Sequence, residues 1–460
     1  MTNHKMPRRR FLAGAASSAI ASVLLHQNAS RAANPPNIVF FLSDDQNYRT
    51  MSSYGGKVIA TPHMDRIANE GAMFLNAFVT NSLCCPSRAS FMTGLYSHTH
   101  GVKRNNALSS SQKVFTDYLH AAGYQTCFIG KWHMEGTPPQ FDFWLGFSGQ
   151  GDYENPQLLD FNGQLVQETG HMTDLLGDRA ITYLKQYRKG PFCLFVWDKA
   201  PHRPWTPAPR YENALTDVTI PEPPTFNTDY SGKPEAVRNT DMQVETAKPP
   251  KTFQEWMKDY YRTLLSWDEN IGRVLNTLDE LGLTEDTIVI HSSDNGFFMG
   301  EQGFFDKRLM YEPSIRVPLV FRYPRMVQPG LKISEMVLNV DVAPTLLDIV
   351  GLPLPDDMHG SSFKPLLEQQ NVPWRSSFLY EYYDYPASHK VKPHRGVRTQ
   401  QWKYIHFFEE PQEFELYALT FDPDETNNLY ANPYYNDVVA EMRRELERLR
   451  RETNDPDLVI

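Results

Sequence analysis

Four apolar runs in this chain break off into polar chemistry rather than into a turn. They are "NIVFFLSDD" at 37–45, "QTCFIGKWH" at 125–133, "PFCLFVWDKAPH" at 191–202 and "TIVIHSSDNG" at 287–296. Short runs that are apolar on both faces read as strands buried in a parallel sheet. A fifth, "VPLVFRYP", follows at 317–324. Helical patterns alternate with them: "TPHMDRIANEG", "SQKVFTDYLHAAG", "MTDLLGDRAITYLKQYRKG", "YYRTLLSWDENIGRVLNTLDELG" and "VDVAPTLLDIVG". The first has Thr61 as N-cap, Pro62 at the first helical position and a glycine stop. The alternation predicts an α/β fold, a mostly parallel central sheet sandwiched by helices. Ligands of such sheets bind beyond the carboxyl ends of the strands, so the polar ends are expected to meet there.

From about residue 362 the rhythm changes. "SSFLYEYYD", "HRGVRTQQWKYIHFF" and "EFELYALTFDPDETNNL" suggest short antiparallel strands, and "NDVVAEMRRELERLRRET" a closing helix. We read a catalytic domain over 34–361 and a smaller C-terminal α+β subdomain over 362–460. Residues 205 to about 252, rich in Pro, Thr and acids, read as a surface excursion. With 41% hydrophobic and 13% aromatic residues among 460, a large core is affordable. The formal charge of −10 argues against sequence-independent nucleic-acid binding.

The N-terminus, "MPRRRFLAGAASSAIASVLLHQNASRAANPPN", puts an arginine cluster before an Ala/Ser-rich, mildly apolar run and then small residues. It resembles a twin-arginine export signal over 1–33. A membrane anchor is the alternative, but the run is short and weakly apolar for a span of about 20 residues. The expectation is a bacterial periplasmic or secreted protein that uses the Tat machinery, with no membrane span in the mature chain.

"NSLCCPSRASFMTG" at 81–94 holds two of the four cysteines side by side. A phosphatase thiolate loop needs Arg six positions after its Cys, where Ser90 and Phe91 stand. Zinc needs spaced ligands, which "CC" does not offer. Cys127 and Cys193, within apolar strands, read as buried structural thiols. The stretch does resemble the type I sulfatase signature, Cys-x-Pro-Ser-Arg followed by Thr-Gly: Cys84, Cys85, Pro86, Ser87, Arg88, then Thr93 and Gly94. Cys85 falls at the variable position and is assigned no chemistry. The signature's helix is expected to open at Pro86 and the residues after it.

The resemblance covers nearly the whole mature chain and implies an alkaline-phosphatase-like fold. It implies that Cys84 is oxidised to formylglycine (3-oxoalanine) by a formylglycine-generating or other sulfatase-maturing enzyme. The aldehyde then works as its hydrate, whose second hydroxyl lets sulfate be expelled. Asp44, Asp45, Asp294 and Asn295 would bind a divalent ion together with modified Cys84. These hard oxygen ligands suit calcium, with magnesium the alternative. An adjacent Asp pair alone is more often a cap or a solvated turn. By resemblance, Lys131 contacts the sulfate and the formylglycine hydroxyl, and His133 is the base for breakdown of the sulfated intermediate. His202 binds sulfate and protonates the leaving group, Lys307 holds a sulfate oxygen, and Arg88 neutralises the hydrated aldehyde and the metal-ligand carboxylates.

The blocks "CCPSRASFMTG", "RNN" at 104–106 and "KAPHRPWTPAPRY" look similar to the N-acetylglucosamine-6-sulfatase and heparan-type branch. A sulfated carbohydrate is the expected substrate, with Gln150, Asp152, Arg203 and Trp205 as rim residues. Two other readings stay open: a phosphonate or phosphate monoester hydrolase on the same scaffold, and a catalytically silent glycan-binding protein. His98 and His100 read as structural.

Overall fold

The computed structural model describes Met1 and residues 35–134, 141–147, 149–160, 162–247 and 252–457. The expected signal segment therefore lies, Met1 apart, outside the described residues. The remainder from Pro36 on forms one compact unit.

Eight strands build the central sheet: β1 (Asn37–Ser43), β2 (Ala72–Phe78), β3 (Gln125–Lys131), β4 (Phe143–Phe147), β5 (Phe192–Trp197), β6 (Thr287–Ser293), β7 (Leu319–Arg322) and β8 (Leu331–Leu338). Their order is β8-β2-β7-β6-β1-β5-β3-β4. Every pairing is parallel except those of β7, which runs antiparallel to both β2 and β6. The four runs that end in chemistry are thus the contiguous block β6-β1-β5-β3, and their polar ends share one edge.

Strand alternation divides the core. Ile38, Phe40 and Leu42 of β1 face one cluster, Val39 and Phe41 the other. Helices α1 (Pro62–Asn69), α4 (Met172–Thr182) and α5 (Phe253–Glu280) cover the second face. Helices α2 (Cys84–Thr93), α3 (Phe115–Ala121) and α6 (Val342–Ile349) cover the first. Both faces being buried explains why these strands read as continuous apolar runs.

Strands β9 (Ser377–Tyr382), β10 (His394–Thr399), β11 (Trp402–Phe407) and β12 (Glu413–Ala418) form an antiparallel sheet in sequence order. One face packs on α7 (Asn436–Glu452) through Leu379, Val397, Tyr404 and Leu416 against Val439, Met442, Leu446 and Leu449. The other packs on Leu309, Met310, Tyr311 and Ile315, just after Lys307. Residues 205–252 include the buried Lys233, whose ammonium donates to Tyr417 Oη at 2.7 Å and ties that excursion to β12.

Candidate active site

The helix of the signature begins at Cys84 itself, two residues before Pro86, with Leu83 as N-cap. All ten of its residues are buried. Cys84 therefore sits at the helix N-terminus, where free N–H groups and the helix dipole favour an anion.

Around it the strand ends converge. Lys307 Nζ donates to Cys84 Sγ at 3.3 Å and pairs with Asp45. Arg88 donates from Nε to Asp294 Oδ2 at 2.8 Å and from its NH2 group to Asp44 Oδ2 at 3.2 Å, and stacks over Trp197. Lys131 pairs with Asp44. His202 Nε2 lies 3.8 Å from Asp45 Oδ2. Lys131 is delivered by a backbone only glycine tolerates: Gly130 has φ +117°, and a Cβ there would stand 2.0 Å from the Trp197 carbonyl oxygen.

Asp44, Asp45 and Asp294 each offer a carboxylate oxygen, and these lie within 4.8 Å of one another. A carboxylate oxygen of Asp44, the Cys84 Sγ and a ring nitrogen of His202 also lie within 4.8 Å of one another. Asp44 Oδ1 and Asn295 Oδ1 are buried with no hydrogen-bond partner among the described residues. Unmatched buried oxygens are costly, and a hard cation is what such oxygens coordinate. Burial, together with repulsion from neighbouring carboxylates, raises Asp45 to about 7 against the pull of Lys307. Burial and Asp44 raise Asp294 as well. Burial would raise Asp44 too, but the permanent cations Lys131 and Arg88 hold it well below the usual range. Three carboxylates brought this close, with two buried oxygens left unmatched, fit a divalent cation.

As a thiol, Cys84 is a poor nucleophile. Burial and Asp44 push it to about 12, so almost none is ionised near neutrality. Both histidines are shifted towards the neutral form. Burial and Lys131 depress His133 to about 2, and the same two causes hold His202 well below its ordinary value. His202 Nδ1 donates to the Arg203 carbonyl at 2.6 Å, which leaves Nε2 bare towards Asp45.

Of the expected rim residues, Gln150 contacts Lys131 (Oε1 to Nζ, 2.5 Å) and His133 (Nε2 to Nε2, 3.1 Å). Asp152 is exposed nearby in sequence. Arg203 pairs with Asp306 and reaches His389 Nε2 at 2.9 Å. Trp205 is turned inward: its indole N–H donates to the Pro201 carbonyl, and its ring lies against Trp256, Tyr260 and Phe297.

Sequence reasoning missed Asp306, Arg308, His389 and Lys199. Buried Asp306 collects Arg203, Arg308 and His389. Its signal was adjacency, since Asp306 and Arg308 flank Lys307. His389, on a loop remote in sequence, carried none. Buried Lys199 donates to the Gln150 carbonyl at 2.9 Å, and burial with the nearby Lys131 lowers it to about 8. His98 donates to Glu381 and to the Thr453 carbonyl, a structural pin. A cavity of about 960 Å³ beyond the far end of α2, lined by Tyr96, His98, His359 and Arg375, contains none of the cluster's residues.

The family model described as Sulfatase matches residues 36–352, and one described as N-sulphoglucosamine sulphohydrolase, C-terminal, matches 300–452. An N-acetylglucosamine-6-O-sulfatase of Bacteroides thetaiotaomicron is 39% identical, over 92% of this chain and 88% of that protein. The human N-acetylglucosamine-6-sulfatase is 31% identical, over 86% of this chain and 81% of its own. A solved structure of a protein in complex with its substrate D-glucosamine-2-N,6-O-disulfate superposes with a TM-score of 0.89 at 39% identity, covering 92% of this chain and 99% of that one. A phosphonate monoester hydrolase from Silicibacter pomeroyi shares the fold, with a TM-score of 0.77 at 19% identity over 91% of this chain and 96% of that one.

Proposed function

Because this chain belongs to the sulfatase family, whose model spans residues 36–352, we propose that it removes 6-O-sulfate from N-acetylglucosamine or glucosamine residues of sulfated glycans. The reading gives the work to an aldehyde made from Cys84 by a sulfatase-maturing enzyme, and to a divalent cation held by Asp44, Asp45, Asp294 and Asn295. The observation that carries it is Cys84 at a buried helix N-terminus, within reach of Lys307 and beside the acidic cluster. The sugar and position are taken from the names of the relatives. Calcium is the proposed ion, because all the oxygens are hard and two are unpartnered.

A sulfate ester repels nucleophiles and leaves as a strongly basic alkoxide, so its hydrolysis needs cations, an activated oxygen and a proton for the departing oxygen. The hydrated aldehyde supplies the nucleophilic oxygen. When bound, the cation supplies positive charge against the sulfate oxygens. Lys131, paired with Asp44, and Lys307, beside Cys84, neutralise the remaining sulfate charge. Arg88 pairs with Asp44 and Asp294 and offsets part of the cost of their buried charge. His202 Nε2, held down by burial and by Lys131, takes up a proton from solvent as the anionic sulfate arrives and offsets that positive charge, and gives it to the leaving oxygen. His133 serves the later proton transfer on the Cys84 side chain. Arg203, with Asp306, Arg308 and His389, forms the polar rim towards the sugar, and exposed Asp152 belongs to the same expected rim. The Gln150 amide instead faces Lys131 and His133, and the Trp205 ring packs inward.

The export reading belongs to this proposal as well: a Tat signal over 1–33, a catalytic domain over 34–361, a subdomain over 362–460, and a bacterial periplasmic or secreted location. No helix among the described residues is long and apolar enough to cross a membrane.

The test is desulfation of defined monosaccharides sulfated at single positions, with kinetics on the sulfate and phosphate esters of one alcohol. Selective release from the 6-O-sulfate is expected. Preference for the phosphate ester would favour the monoester-hydrolase reading of the shared fold. Binding without turnover would favour the silent glycan-binding one.

A further inference from the structure

Gln150 lies on an exposed turn, yet both ends of its amide are engaged. Oε1 accepts from Lys131 Nζ at 2.5 Å, and Nε2 stands 3.1 Å from His133 Nε2. The two ends cannot be exchanged. An ammonium has only protons to give, so the oxygen must face Lys131, and the amide nitrogen is left to donate to the imidazole. His133 Nε2 is therefore an acceptor. In a neutral ring the proton then sits on Nδ1, a buried atom with no hydrogen-bond partner among the described residues.

The turn is built to hold this arrangement. Gly149 and Gly151 take φ of +59° and +63°, and a Cβ on Gly151 would meet the Phe147 ring at 2.5 Å. Lys199 Nζ holds the Gln150 carbonyl at 2.9 Å. His133 itself has φ +66°, a conformation that persists only where its surroundings impose it.

We infer that Gln150 is a positioning residue: its amide locks His133 in the Nδ1–H form beside Lys131 and so decides which ring nitrogen carries the proton. An imidazole left to itself in water favours the opposite, Nε2–H form. The resting ring has a proton to give at Nδ1, while its lone pair is engaged by Gln150. It accepts a proton only after Gln150 lets go. The inference rests on the reaction proposed above for the part His133 plays, but the tautomer does not.

The experiment uses two variants of the intact, matured protein. Gln150→Glu keeps the acceptor for Lys131 and loses the donor to His133, whereas Gln150→Met loses both. Because the side chain is exposed, neither change threatens the fold. The ¹⁵N spectrum of histidine-labelled protein without substrate, with His133→Gln to assign the ring, reports the tautomer. We expect Nδ1–H in the wild type and a shift to Nε2–H in both variants. On a sulfate ester, kcat should fall by about 10–100-fold with KM little changed, the range typical of partners that orient a working side chain. An Nε2–H ring in an active wild-type sulfatase overturns this inference alone. So does wild-type kcat in Gln150→Glu, or a change confined to KM, which would make Gln150 a substrate contact.

Discussion

Lys307 holds its ammonium 3.3 Å from Cys84 Sγ while the same nitrogen pairs with Asp45. One cation thus joins the nucleophile position to the acidic cluster, and the charge on Asp45 depends on it. Lys307→Ala should lower kcat/KM on a sulfate ester by about 10²–10³-fold, the cost of removing one preorganised electrostatic donor. Arginine should not restore it, because a planar fork cannot fill a point-charge position between Sγ and a carboxylate. Steady-state kinetics of the two variants checks this.

Asp294 accepts from Arg88 and from the Asp45 backbone N–H. Asp294→Ala should therefore remove a cation ligand and leave a buried guanidinium half-paired. Metal analysis after dialysis should find the ion depleted, and activity should fall with it. Full metal content in the variant would take Asp294 out of the ligand set.

Gly130 is the residue on which the placement of Lys131 depends. Gly130→Ala puts a methyl group 2.0 Å from the Trp197 carbonyl at φ +117°. We expect a loss of at least about 3 kcal/mol, read from denaturant unfolding, because neither backbone can yield without breaking the β3–β5 ladder. A variant as stable as the wild type would mean that the strand end rearranges freely.

Much of this was legible because the same physics that buries a parallel strand also marks its end. The runs at 37–45, 125–133, 191–202 and 287–296 are apolar through the sheet and turn polar where the chain meets the pocket. What stayed hidden lacked that contrast. β2, "AMFLNAF", and β8, "LKISEMVL", are interrupted by polar residues at partly exposed positions, so they did not stand out as buried strands. The antiparallel setting of β7 is a matter of topology that no local pattern encodes. The helix start at Cys84 was masked by Pro86, which reads as a first-turn residue. Trp205 illustrates the converse limit: aromatic residues next to a pocket motif serve the core as readily as the rim. His389 reaches Asp306 only through tertiary folding.

His98 shows where acid and alkali should act on stability. Its Nδ1 lies 2.7 Å from Glu381 Oε2 and its Nε2 lies 2.9 Å from the Thr453 carbonyl. Both partners only accept, so the ring carries both protons. Burial lowers the ring's affinity for its proton, but Glu381 outweighs it and the net shift is upward. Glu381 is shifted downward: burial would raise it, and His98 outweighs that. The raised histidine stabilises fully below its unfolded value of about 6.5 and loses this as pH rises through its folded value. The lowered glutamate stabilises fully above its unfolded value of about 4.3 and loses this as pH falls through its folded value. His98→Ala should therefore cost most between those limits, about 3–5 kcal/mol for a buried pair broken on one side. Unfolding free energies of the two proteins against pH should converge towards either extreme.

The account's central claim is that residue 84 of the active enzyme is no longer a cysteine. Protein purified from cells that contain a sulfatase-maturing activity, with its turnover verified, should be digested and the peptide spanning Cys84 weighed. The predicted mass is that of the cysteine peptide less one sulfur and two hydrogens plus one oxygen. Turnover by protein in which that peptide carries only the unmodified thiol would contradict it.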